Sequence, residues 1–181
     1  MNDMEIVVIA HNIRSTHNIG AILRTADGFG VSHVYCTGYT PYPTLPGDTR
    51  LPHLRNKLTG QIHKTALGAE TTMPIAQSDD LASTLAAITA AGYQLVALEQ
   101  SPQAVMLPDF TPPQKIALLL GEEVHGIPTD LLAKCRAVIE IPMQGKKESF
   151  NVSVATGITL YGITQNGAQP RRSAVAGDGT A

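Results

Sequence analysis

The sequence predicts an α/β domain with a mostly parallel sheet flanked by helices. Three observations carry that prediction. Short runs of aliphatic and β-branched residues alternate with stretches of helical spacing, the pattern of repeated strand–helix units. Residues 116–120 (IALLL) are apolar without interruption, as expected of a strand covered on both faces. The strands predicted to end near Leu120 and Ile141 run into glycine-containing turns, and α/β sheets gather ligands at such strand ends.

The elements follow in order. Residues 5–10 (EIVVIA) form a first strand. Residues 19–29 read as a helix with Ile19, Ile22, Leu23 and Ala26 on one side, and Asn18 stands in the place of its N-cap. Residues 31–37 are a second strand. Residues 40–60 hold several prolines and glycines and read as a long loop. Residues 66–69 and 73–76 are ambiguous. Ser78 or Asp79 caps a helix that runs to about Ala91, where Gly92 ends it. Strands at 94–98, 116–120 and 137–141 follow, with a short helix at 129–134 behind Pro128. The last helix spans 151–163. From Gln165 the chain is small, polar and aperiodic, so residues 1–164 are expected to fold and 165–181 to be a disordered tail, in which Arg171 and Arg172 can touch a polyanion.

Composition bounds the function. The chain of 181 residues is 43% apolar, enough for one full core, and only 15% charged. No apolar run approaches the ~20 residues that span a bilayer. The first residues, MNDMEIVVIA, carry two acids and no base, unlike a secretory leader. Two cysteines, Cys36 and Cys135, offer no disulfide framework, which suggests a cytoplasmic protein. The net charge of −2 opposes general polyanion binding, but residues 49–69 contain no acid and hold Arg50, Arg55, Lys57 and Lys64 with His53 and His63. Dinucleotide, P-loop and nucleophile-elbow motifs are absent, and the histidines and cysteines lack metal-ligand spacing, so no metal is expected.

Three segments carry chemistry. In the first, HNIGAILRTA (17–26), Gly20 admits a neighbouring backbone and Arg24 falls one to two turns into the helix. The second, LLLGEEVHGIP (118–128), ends a buried strand in a turn flanked by glycines, where free backbone groups can bind an adenine edge or a ribose. The third, IPMQGKKESFN (141–151), is a loop with Pro142 and Gly145 that enters the final helix through Ser149, Phe150 and Asn151.

These segments, in this order, resemble the three motifs of the SpoU family, the ribose 2′-O-methyltransferases also called the TrmH family, within the SPOUT methyltransferases. Phe150 stands where that family usually has Leu. The resemblance implies a deep trefoil knot in the C-terminal part of the fold, S-adenosyl-L-methionine as cofactor and a homodimer with its active site near the interface. It also implies catalytic roles for Asn18, Arg24, Glu123, Ser149 and Asn151. Leu120, Gly121, Ile141, Met143, Ser149 and Phe150 are then the cofactor-binding residues. Arg14, Lys57, Lys64, Lys146 and Lys147 are the candidates for RNA phosphates. Transfer of a methyl group to a ribose of tRNA is the leading expectation, with rRNA next. A non-catalytic RNA-binding member of the fold, or an enzyme that methylates a base nitrogen, are the alternatives.

Overall fold

A computed structural model describes residues 4–168. Seven strands form one sheet in the order β3-β2-β1-β6-β4-β7-β5. They are β1 (Glu5–His11), β2 (His33–Thr37), β3 (Ile75–Ser78), β4 (Gln94–Leu98), β5 (Val105–Met106), β6 (Lys115–Leu120) and β7 (Ala137–Glu140). Every pairing is parallel. The helices are α1 (Thr16–Gly28), α2 (Pro52–Ala66), α3 (Ala69–Thr72), α4 (Leu81–Ala90), α5 (Thr129–Leu132) and α6 (Val152–Ala168). None is long and apolar enough to cross a membrane.

Strand alternation divides the core into two layers. Ile6, Val8 and Ala10 of β1 face a cluster with Ile19, Ile22 and Leu23 of α1, Ile62 of α2 and Leu160 and Ile163 of α6. Val7 and Ile9 face the opposite cluster, with Leu85 and Ile88 of α4 and Leu131 of α5. The central strands β1 and β6 are therefore apolar on both faces, as the uninterrupted run at 116–120 required. Each fully buried Ile or Leu contributes roughly 1.5–3 kcal/mol, so α1 is held mainly by Ile19, Ile22 and Leu23. Gly20 lies against α2, where an added Cβ would strike the Ile62 carbonyl oxygen and sit 2.9 Å from the Ala66 nitrogen.

Several elements differ from expectation. The expected loop 40–60 contains the first half of α2. Pro52 sits in its first turn, and only Ile62 and Ala66 are buried, so the helix lacks the apolar stripe that periodicity detects. Helix α1 begins earlier than residue 19, and Ser15 rather than Asn18 is its N-cap, its Oγ accepting from the Asn18 backbone N at 3.2 Å. Asp80, not Ser78 or Asp79, caps α4, accepting from Ser83 N at 3.1 Å. The two-residue strand β5 was too short to register in sequence. Helix α6 runs beyond residue 163 because Asn166 Nδ2 donates to the Leu107 and Phe110 carbonyls at 2.9 and 3.0 Å. The remainder of the expected tail, including Arg171 and Arg172, lies outside the described residues.

The segment between β2 and α2 is braced by Arg50. Its guanidinium lies 3.5 Å from the centre of the Tyr42 ring, pairs with Asp48 Oδ2 at 2.6 Å and donates to the Tyr42 and Pro43 carbonyls. Hydrogen bonding from Arg50 pulls the Asp48 carboxyl from 3.8 down to about 2. A carboxyl depressed by folding stabilises above its unfolded pKa and loses that contribution as pH falls through the folded value. Asp48→Asn is therefore expected to flatten the fall in stability between about pH 4 and pH 2. Urea unfolding of both proteins across that range measures it, and parallel acid slopes would contradict the assignment.

Candidate active site

The largest concentration of expected site residues surrounds a cavity of about 560 Å³ at the carboxyl ends of β6, β4 and β7. That volume suits a nucleoside-sized ligand. Leu98 lines it from β4 and Glu99 from just after it, Leu120 from β6 and residues of 121–126 from the turn that follows, Ile141 and Met143 from the segment after β7, and Ser149, Phe150 and Asn151 from the entrance to α6.

The turn after β6 is tightly built. Gly126 is left-handed, with φ +67°, and its nitrogen donates to the Glu122 carbonyl at 2.9 Å. A Cβ on Gly121 would lie 2.5 Å from Ile127 Cγ1 and 2.8 Å from the Gly126 carbonyl carbon. Glu99 fastens this turn to β4: its Oε2 accepts from Ile127 N at 2.8 Å and its Oε1 from Gln100 N at 2.9 Å.

At the rim, three remote segments meet. Asn151 Nδ2 donates to Asn18 Oδ1 at 3.1 Å, and Asn18 Nδ2 donates to Glu123 Oε1 at 3.1 Å. Both ends are anchored. Asn151 Oδ1 accepts from Ser153 N at 2.9 Å, capping α6, and Glu123 Oε2 accepts from Arg14 N at 3.4 Å. A carboxylate only accepts and a backbone N–H only donates, so both amides are oriented in one sense. Because Ser15 takes the capping role, the Asn18 side chain is free to join this chain.

Beside it, Arg14 Nη2 pairs with Glu122 Oε1 at 2.6 Å and His125 Nδ1 lies 3.1 Å from Glu122 Oε2. Hydrogen bonding from His125, with Tyr39 and the Arg14 charge, holds the Glu122 carboxyl below its ordinary value. Glu122 thus serves as an anionic post for Arg14.

The expected residues fall into groups. Asn18, Glu123 and Asn151 are joined by hydrogen bonds, and Ser149 lines the adjoining cavity. Leu120, Gly121, Ile141, Met143, Ser149 and Phe150 all line that cavity. Arg14 borders it through Glu122. Arg24 does not join them. Six residues at ~100° each turn it about 120° around α1 from Asn18. It lies exposed in a separate hollow with Phe29, Lys64 and Leu67. Lys57 is exposed on α2, and Lys146 and Lys147 are exposed before α6. Glu99 and Glu122 were not singled out in sequence, although Glu99 directly follows a predicted strand and that position was the available signal.

Residues 48–161 match the family described as "SpoU rRNA Methylase family". A 23S rRNA (guanosine-2'-O-)-methyltransferase RlmB of Nitrosomonas europaea is 31% identical over 162 residues, which are 89% of this chain and 56% of that protein. A tRNA (guanosine(18)-2'-O)-methyltransferase of Aquifex aeolicus is 30% identical, over 87% of this chain and 67% of its own length. The crystal structure of an AdoMet-bound rRNA methyltransferase from Sinorhizobium meliloti superposes with a TM-score of 0.74 at 28% identity, covering 89% of this chain and 56% of that one. The chain thus spans little more than half the length of two of these three proteins.

Gly121→Ala is expected to force the 121–127 turn open, because two of the three contacting atoms, the Gly126 carbonyl carbon and oxygen, belong to the backbone. Overpacking of this kind costs about 1–3 kcal/mol, or a fall in Tm of a few degrees. Gly145, with nothing within 4 Å of an added Cβ, is the control. Calorimetric melting that leaves both alanine variants at the wild-type Tm would overturn the packing argument.

Proposed function

The chain belongs to the SpoU rRNA methylase family, and from that premise we propose that it is an S-adenosylmethionine-dependent methyltransferase acting on a ribose 2′-hydroxyl of RNA. The observation that carries this reading is the junction of Asn18, Glu123 and Asn151 at the rim of the strand-end cavity. Residues 1–164 form the methyltransferase domain in this reading. The relatives are named for both rRNA and tRNA. tRNA is the first RNA to test, rRNA the second, and the cytoplasm is the compartment in which either is met.

The cavity fits the cofactor in size and in chemistry. It combines apolar side chains, Leu120, Ile141 and Met143, with the carboxylate of Glu99 and the polar Ser149. When bound, S-adenosylmethionine supplies an electrophilic methyl group on a sulfonium. The residues of the chain position the attacking oxygen and stabilise its developing charge. The fixed order of donors from Asn151 through Asn18 to Glu123 aims a carboxylate and two amides at one place. Ser149 adds a hydroxyl beside them.

Arg24 is the electrostatic partner of the alkoxide. A guanidinium keeps its positive charge at neutral pH, which suits it to stabilise charge rather than to remove the proton. Since Arg24 lies away from the cavity of its own chain, we assign it to the site of a second copy in a homodimer. Exposed Val154 and Tyr161 on α6, next to α1, support such an interface. A standard interface buries roughly 1,600 Å². The knot belongs to the same proposal. Strand β7 lies between β4 and β5, and Gln100 after β4 touches the Glu148 carbonyl, as expected if the segment from β7 to α6 threads the loop that leaves β4.

RNA from cells lacking the gene, incubated with the protein and digested to nucleosides, is expected to yield 2′-O-methylated nucleosides. Arg24→Ala should abolish that yield while its affinity for S-adenosylmethionine, titrated in the presence of chelator, stays within about twofold of wild type. Base-methylated nucleosides, or near-normal turnover by Arg24→Ala, would contradict the reading.

A further inference from the structure

A second cavity, about 780 Å³, opens at the carboxyl ends of the strands that the first cavity leaves unused, β1, β2 and β3. The two share a wall. Arg14 lines the second, its Glu122 partner lines the first, and Arg14 stands four residues before Asn18, at most roughly 14 Å of chain.

Tyr39 stands at this cavity with half its surface exposed, at 51%. It is presented rigidly. Gly38 before it is left-handed at φ +63°, and the Tyr39 nitrogen donates to Asn12 Oδ1 at 3.3 Å. Thr40 after it is buried, donating to the Ala10 carbonyl at 2.9 Å and accepting from Ile13 N at 3.1 Å. The Arg14 guanidinium stands 5.6 Å from the ring centre, engaged with Glu122. An exposed aromatic side chain fixed by its backbone on both sides is a stacking platform.

The charges lining the cavity select the occupant. Arg14 is neutralised by Glu122 and Arg50 by Asp48. Asp79 lines the cavity as well, accepting from Gln77 Nε2 at 2.6 Å. Among the described residues no unpaired cation lines it, so it is a poor phosphate site. The amides of Gln61 and Gln77 offer donors and acceptors at its polar side. A flat, neutral group with a hydrogen-bonding edge is the complement, which describes a nucleobase.

We propose that this cavity takes an unpaired nucleobase of the RNA strand being methylated, within one nucleotide of the reacting ribose, stacked on Tyr39 with its edge facing Gln61 and Gln77. This inference rests on the 2′-O-methyltransferase reading. Tyr39 then acts as a substrate-positioning residue that sets RNA affinity and site choice without touching the reacting atoms.

The test is steady-state methylation of RNA from cells lacking the gene by the full chain and three variants. Tyr39→Ala is expected to raise KM for RNA roughly 5- to 150-fold, the range of one lost base–aromatic stack, with kcat and S-adenosylmethionine affinity within about twofold of wild type. Tyr39→Phe, which keeps the ring, should recover most of the lost affinity, and Tyr39→Leu, which keeps only bulk, should not. An unchanged KM in Tyr39→Ala, or recovery by Leu equal to that by Phe, overturns the stacking role while leaving the function standing. A wild-type protein that methylates no RNA overturns both.

Discussion

Asn18 holds together three segments that are far apart along the chain, and the candidate site depends on that junction. Its amide donates to Glu123 and accepts from Asn151, spanning 105 and 133 residues of sequence. Each bond alone contributes on the order of 1 kcal/mol. Their value lies in direction. The acceptor-only carboxylate at one end and the capped helix at the other leave each amide a single useful orientation. The junction exists because Ser15 caps α1 and so releases the side chain that the first turn would otherwise have used.

The sheet explains why the junction falls where it does. Parallel strands buried on both faces release their connections at one edge. The first cavity uses the ends of β6, β4 and β7, and the second uses the ends of β1, β2 and β3. The segment 14–18 links the two: Arg14, Ser15 and Thr16 line the second cavity, and Asn18 bonds to Glu123 and Asn151 at the rim of the first. In the proposed reading, one sheet edge holds the cofactor and the neighbouring part of an RNA strand side by side, with the Arg14–Glu122 pair between them.

Much of this was legible in sequence, for identifiable reasons. The central strands were visible because burial on both faces leaves an uninterrupted apolar run, as at residues 116–120. The residues around the first cavity were legible because they stand in three motifs, and the resemblance read their order, which no spacing argument supplies across more than a hundred residues. Helix α2 was hidden because it buries only Ile62 and Ala66 and so shows no helical stripe. Glu99 was hidden because its role, receiving Ile127 N, depends on two strands becoming neighbours. The place of Arg24 within its own chain was hidden because its proximity to Asn18 in sequence is undone by the rotation of the helix between them, which leaves it in a separate hollow. Tyr39 had no motif to announce it, and the role proposed for it rests on a turn held by Asn12 and Thr40.

The most direct measurement of the account is a double-mutant cycle at the junction, with Asn18→Ala and Asn151→Ala alone and combined, read as the single-turnover rate of methyl transfer to RNA. Residues that act as one positioning unit are strongly non-additive. Each single substitution is expected to slow transfer by roughly tenfold or more, and the double to be little slower than the worse single. Losses that simply multiply would show two independent residues and contradict the junction as the basis of the site.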